Sequence, residues 1–214
     1  MTALPPHAGQ PVAQVGPPLG EARAAMILVH GRNAGPRNIL ELAPAFDSPA
    51  VAYLAPAAQG NTWYPHSFLE DVRKNEPGIS SGISVIHHLV DEALAGGMPI
   101  ERVVLLGFSQ GACLAATSGV RRPARYGGVI VLSGGLIGPP GTDWDGQGSF
   151  GGCPVFLGCS DPDSHVPRQR VDESAAVFDR MGASVTKRIY PNMGHLVNDD
   201  EVAFVREVLS GLGA

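Results

Sequence analysis

Three features of the chain predict an α/β fold with a mainly parallel central sheet flanked by helices on both faces. From Ala24 onward, short apolar runs alternate with amphipathic stretches, the order expected when helices connect strands. Most of these runs are apolar at successive positions, as strands buried between two helical layers require; a half-exposed strand would alternate. The 214 residues, 44% of them hydrophobic, suit one large core better than two small ones.

The elements follow in order. Residues 1–22 are rich in Pro and Gly without lasting periodicity and are expected as an edge strand or loose arm, leaving 23–214 as a single domain. AAMILVH (24–30) and VAYLAP (51–56) read as the first core strands, and an irregular stretch, 57–80, comes next. A helix is expected over 81–95, with Ile83, Ile86, Val90 and Leu94 on one stripe and Gly96-Gly97 as its stop. RVVLLGF (102–108) is a strand, 109–120 a helix, and GGVIVLS (127–133) another strand. The segment 134–152 is too rich in Gly and Pro for regular structure. Then come the strand CPVFLGC (153–159), a helix over 168–181, the strand VTKRIY (185–190) and a helix over 199–212, which Asn198 and Glu201 open as a capping pair. The two long irregular segments are expected to be binding loops.

Composition removes several function classes. A net charge of −5 leaves no excess of cations to neutralise phosphates, which argues against nucleic-acid or anionic-membrane partners. Arg121, Arg122 and Arg125 read as a solvated helix end. Cys113, Cys153 and Cys159 are an odd number without metal-ligand spacing, so neither a disulfide framework nor a metal site is expected, and the cysteines read as reduced and buried. No basic-then-apolar leader and no run of membrane-spanning length is seen, and a cytoplasmic protein is expected. Oligomeric state is left open between monomer and homodimer.

The pattern G-x-S-x-G places a nucleophilic serine on a sharp strand-to-helix turn, and it occurs twice, as GISSG (78–82) and GFSQG (107–111). Chance alone supplies roughly 0.24 matches at this Ser and Gly content, so context decides. Ser80 has no strand before it; its glycines look like loop and helix-start residues. Ser109 directly follows RVVLLGF and directly precedes ACLAATSGV. It is the expected nucleophile. A serine hydroxyl needs an adjacent base, oriented by a carboxylate, and on this scaffold the order is Ser, acid, His. Only His165 and His195 follow Ser109. His165 lies among the acids themselves and comes too early, so His195, in NMGH, is the expected base. Two carboxylates, Asp161 and Asp163, follow the strand CPVFLGC, and proximity to the strand end does not separate them.

With HGRNAG (30–35), NTWYPHSFLEDVRKNEPG (61–78), GFSQGA (107–112), SDPDSHVP (160–167) and NMGH (192–195) in that order, the chain from about residue 24 onward resembles the phospholipase/carboxylesterase family of α/β-hydrolases, which includes the acyl-protein thioesterases. The resemblance implies a serine esterase with an α/β-hydrolase core, no separate lid domain, and no cofactor or metal. Its small-molecule substrate would be a carboxyl ester or thioester, cleaved through an acyl-enzyme. Aligned on Val166-Pro167, the family's acid falls on Asp163, with Ser164 where proline is usual; aligned on Asp-Pro it falls on Asp161. The first alignment is preferred. The oxyanion donors map onto the backbone N–H groups of Gln110 and of Arg32, where the family commonly has an apolar residue. Trp63, Tyr64, Phe68, Leu136, Ile137 and Trp144, all in the long loops, are the expected lining of an acyl pocket. Two rivals stand beside this reading. A dienelactone hydrolase would use a cysteine at the elbow, and Cys113 lies a turn too late; a non-catalytic binding protein on the same scaffold would not need the full Ser-Asp-His set.

Overall fold

The computed structural model describes residues 4–144 and 146–214. Seven strands, β1 (Val12–Val15), β2 (Ala24–Val29), β3 (Val51–Pro56), β4 (Val103–Phe108), β5 (Gly128–Leu132), β6 (Pro154–Asp161) and β7 (Ser184–Pro191), form one sheet in the order β1-β3-β2-β4-β5-β6-β7. Among the described residues only β1 runs antiparallel, paired with β3; the other neighbours are parallel.

The double-sided burial inferred from sequence has a direct counterpart in the packing. Along β2, Ala25, Ile27 and Val29 join one core cluster while Ala24, Met26 and Leu28 join the other; β4 and β5 alternate in the same way. The first cluster is closed by α3 (Gly78–Ala95), α4 (Gln110–Arg121) and α5 (Arg168–Arg180). The second is closed by α1 (Pro36–Leu40), α2 (Ala43–Phe46) and α6 (Asp199–Gly211). Removing both faces of a strand from water supplies roughly twice the apolar burial of a half-exposed one, which stabilises the central strands most. The outer strand β7 is only partly covered and carries Lys187 and Arg188, charges that oppose further edge pairing.

Two short helices, α1 and α2, were not expected. At five and four residues they are too brief to show a 3.6-residue period, and Pro36 and Pro44 start them by fixing φ in the first turn. Helix α3 begins at Gly78 instead of 81, taking the GISSG segment into its opening turns. There Ser80 Oγ donates to Glu76 Oε1 at 2.8 Å. Arg122 caps α4 and pairs with Asp91 of α3 at 2.7 Å, so the expected solvated helix end is partly an inter-helix tie. Among the described residues no helix is long and apolar enough to cross a membrane.

The chain runs from β2 outward to β3 and then back across to β4 on the other side of β2. That reversal opens a crevice beyond the carboxyl ends of β2 and β4, the place where open parallel sheets hold ligands.

Candidate active site

Ser109 sits in this crevice, between β4 and α4, with φ 56° and ψ −120°, a conformation that costs a non-glycine residue on the order of 1–3 kcal/mol. The surroundings hold it there. Its N–H donates to Leu132 O at 2.9 Å and its carbonyl accepts from Cys113 N at 3.1 Å. The flanking glycines are dictated by close approach: a Cβ on Gly107 would overlap the Gly111 carbonyl, and one on Gly111 would overlap Val29 O. The bend therefore tolerates no side chain two residues before or two residues after the serine.

His195 comes from the turn between β7 and α6. Its Nε2 lies 2.8 Å from Ser109 Oγ and its Nδ1 2.7 Å from Asp163 Oδ2. Ser160 Oγ, buried at the end of β6, accepts from Gly194 N at 2.8 Å and fixes the turn beside the ring. Phe108 packs 5.0 Å from the imidazole centroid, and His165 meets it edge-on at 4.9 Å. Sequence reading gave no role to Ser160 or Phe108 and set His165 aside. No sequence signal marks Ser160, because a serine one residue before an aspartate is unremarkable.

The carboxylate against His195 is that of Asp163. It is fully buried, and its Oδ1 accepts from His165 N at 2.7 Å and Val166 N at 3.0 Å. Burial alone would push this carboxyl up, but the hydrogen bonds from His195, His165 and Val166 outweigh it and hold it below the usual aspartate range. Asp161 ends β6 with an exposed side chain; its carbonyl accepts from Asn192 N at 3.1 Å.

Arg32 and Gln110 line the same cavity as Ser109 and His195, about 580 Å³ in volume. The N–H of Gln110 heads α4, where the first turn of a helix leaves its donors without intrahelical acceptors. Its side chain has a separate task that the sequence did not reveal. Gln110 Oε1 accepts from Trp63 N at 2.9 Å and Nε2 donates to Tyr64 O at 2.8 Å, binding the 57–77 loop to the serine turn. The Arg32 guanidinium donates to Pro65 O and His66 O, both at 2.8 Å.

Of the six residues expected to line an acyl pocket, Tyr64 and Phe68 border this cavity. The other four lie elsewhere. Trp63 is fully buried beneath the loop, its Nε1 donating to His30 O at 2.9 Å. Leu136 and Ile137 are in the core, and Trp144 packs 4.9 Å from the Arg170 guanidinium, with Nε1 donating to Ile137 O. Cavity wall is instead supplied by Pro65, His66, Ser67, Phe108, Cys113 and Val166. Burial pushes the Cys113 thiol up to about 11, so the sulfur facing this cavity is protonated near neutral pH.

Histidine pairs behind the loop complete its support. His30 Nε2 accepts from Ala58 N at 3.1 Å, and His30 Nδ1 lies 2.8 Å from Gly31 O. His7 Nδ1 accepts from Gln59 N at 3.0 Å, while its Nε2 lies 2.8 Å from Trp63 O. Each ring accepts at one nitrogen and donates at the other, which is the neutral form, and burial lowers both from the ordinary histidine range.

The sequence profile of the phospholipase/carboxylesterase family matches residues 10–212. The chain is 35% identical to a phospholipase/carboxylesterase of Dyadobacter fermentans, whose crystal structure superposes with a TM-score of 0.91 over 97% of this chain and 99% of that one. It is 30% identical over 145 residues, 62% of its length, to acyl-protein thioesterase 1 of Gibberella zeae, and 29% identical over 143 residues, 65% of its length, to the same-named protein of Kluyveromyces lactis. It spans 59% and 63% of the lengths of those two curated relatives. A carboxylesterase of Mesorhizobium loti, 20% identical with a TM-score of 0.72 over 98% of each chain, shares the α/β-hydrolase fold.

Proposed function

The chain belongs to the phospholipase/carboxylesterase family, and from that premise we propose that it is a single-domain, cytoplasmic serine hydrolase that cleaves carboxyl esters or thioesters through an acyl-enzyme. The observation that carries this reading is the continuous line from Ser109 Oγ to His195 to Asp163, at 2.8 and 2.7 Å, opening on one cavity.

Ser109 Oγ attacks the acyl carbonyl while His195 Nε2 takes its proton. The charge that develops on the carbonyl oxygen falls to the N–H groups of Arg32 and Gln110, each such donor being typically worth about 3–4 kcal/mol in the transition state. Asp163 holds the imidazole by Nδ1 and stabilises the imidazolium, and its own hydrogen bonds keep it ionised while it does so. His195 returns the proton to the departing alcohol or thiol. Water, deprotonated by His195, then attacks the acyl-serine, and the carboxylic acid leaves with Ser109 restored. The elbow residue is a serine and the Cys113 thiol is protonated, so nothing in the cavity favours a cysteine nucleophile.

The test is turnover of a p-nitrophenyl ester by wild-type and Ser109→Ala protein, with fluorophosphonate labelling located by mass spectrometry. Label on Ser109 and a loss of at least about 10⁴-fold in kcat for the variant are expected. Label on another residue, or wild-type turnover by Ser109→Ala, sinks the assignment.

A further inference from the structure

The chain carries 20 acidic side chains against 15 Lys and Arg, yet the ionisable side chains at the cavity wall are Arg32, His66, His165 and His195, with Cys113 and Tyr64 as neutral hydroxyl and thiol groups. No Asp or Glu is among the described residues of that wall. The nearest carboxylate on the catalytic line, Asp163, has a fully buried side chain and already accepts from His195, His165 and Val166.

Arg32 also differs from five other arginines of this molecule. Arg73, Arg122, Arg168, Arg170 and Arg188 each pair with a carboxylate. Arg32 makes its two described side-chain bonds to main-chain carbonyls, Pro65 O and His66 O. Those bonds fix the guanidinium at the cavity wall without neutralising it. A guanidinium has five N–H donors, so three remain on a group already held in place, and its planar fork matches the two oxygens of a carboxylate. Pre-positioning lowers the ordering cost that usually weakens exposed ion pairs.

We propose that Arg32 is a specificity-determining residue and that the preferred substrates are esters bearing a second, free carboxylate, such as monoesters of short dicarboxylic acids. The proposal rests on the hydrolase reading above and adds the charge of the substrate to it. The reaction consumes an anionic monoester and water and releases a dicarboxylate, a proton and an alcohol, so it would lie downstream of a step that esterifies one end of a diacid.

The experiment compares kcat/KM for monoethyl succinate with that for ethyl butyrate, in which a methyl replaces the carboxylate, using wild-type, Arg32→Gln and Arg32→Lys proteins at low and high salt. The ratio of the two constants cancels any common effect of residue 32 on the oxyanion site. In wild type the ratio falls as salt rises; at low salt it falls about tenfold in Arg32→Gln, and Arg32→Lys keeps part of it. A ratio equal in wild type and Arg32→Gln overturns the proposal. If both variants are inactive, the wild-type salt dependence decides, and a flat ratio overturns it. If wild type hydrolyses neither ester, the hydrolase reading fails separately. Calorimetric binding of monoethyl succinate to Ser109→Ala and to Ser109→Ala/Arg32→Gln then decides, and equal affinity, or binding by neither protein, rejects the role of Arg32.

Discussion

Two long loops, 57–77 and 133–153, lie over the first core cluster and meet where Gly138 N donates to Phe68 O at 2.9 Å, yet they are built on opposite principles. The first is suspended by groups outside it: Gln110 holds the backbone of Trp63 and Tyr64, Arg32 that of Pro65 and His66, His30 that of Ala58, and His7 that of Gln59. Within it, Tyr64 to Phe68 line the cavity. The second is wound around one buried cation. Arg170 Nη1 donates to Leu136 O at 2.8 Å and Gly138 O at 2.6 Å, its Nε binds Glu173 at 2.8 Å, and Trp144 covers the guanidinium. Ser174 and Thr117 take the N–H groups of Leu136 and Ile137. A loop anchored from outside can present side chains to a ligand; one that encloses its own anchor is part of the core.

The largest test of this contrast is Arg170→Leu. It strands two buried carbonyls and unpairs Glu173, and a loss of about 3 kcal/mol in urea unfolding is expected, with kcat/KM per folded molecule changed by less than about threefold. A collapse of activity at retained stability would erase the distinction between the loops. Next comes Gln110→Ala, which leaves Trp63 N and Tyr64 O without their partner. A loss of about 2 kcal/mol is expected, and here turnover of a p-nitrophenyl ester also falls, by at least about tenfold, since the freed segment is cavity wall.

The smallest effect is one of pH. His7 and His30 have folded-state pKa values below the ordinary histidine value, so the folded chain binds fewer protons there than the unfolded chain. The stabilisation from neutral rings is complete above the unfolded value, about 6.5, and is lost as pH falls below it through the lowered folded values. The second loop hangs instead on Arg170. Hydrogen exchange corrected for intrinsic rates should show the amides of Ala58 and Gln59 losing protection between pH 7.5 and 5 while those of Leu136 and Ile137 hold. Equal loss in both loops would mean that the histidines are not what sets them apart.

The sheet was legible in the sequence because its strands are apolar on both faces, a pattern with few alternatives, and the helices of twelve or more residues because their stripes repeat for three turns. Helices α1 and α2 are too short to repeat. The elbow was readable from the small residues around Ser109, which the crowding at Gly107 and Gly111 requires. Between Asp161 and Asp163 the chain alone was silent, since the choice depends on where β6 ends and which side chain turns inward; the structure sets Asp163 against His195. The pocket was read least well. Aromatic residues in an irregular loop look the same whether they border the cavity, like Phe68, or lie in the core, like Trp63, and only the backbone path separates them. His7 gave no signal because its partners lie 52 to 74 residues away.

That last histidine has a practical consequence. Leu4 and His7 are bonded to Ser81 and Ser84 of α3, and His7 props the rear of the wall that a substrate would touch. An affinity tag fused at the amino end would therefore tug on the cavity from behind, whereas one fused after Ala214 would sit by Arg23 and the second core cluster, away from the residues that line the cavity. Kinetic constants for this protein would be safest taken from carboxyl-tagged material, and a difference between the two tagged forms would itself be a measure of how firmly the arm is seated.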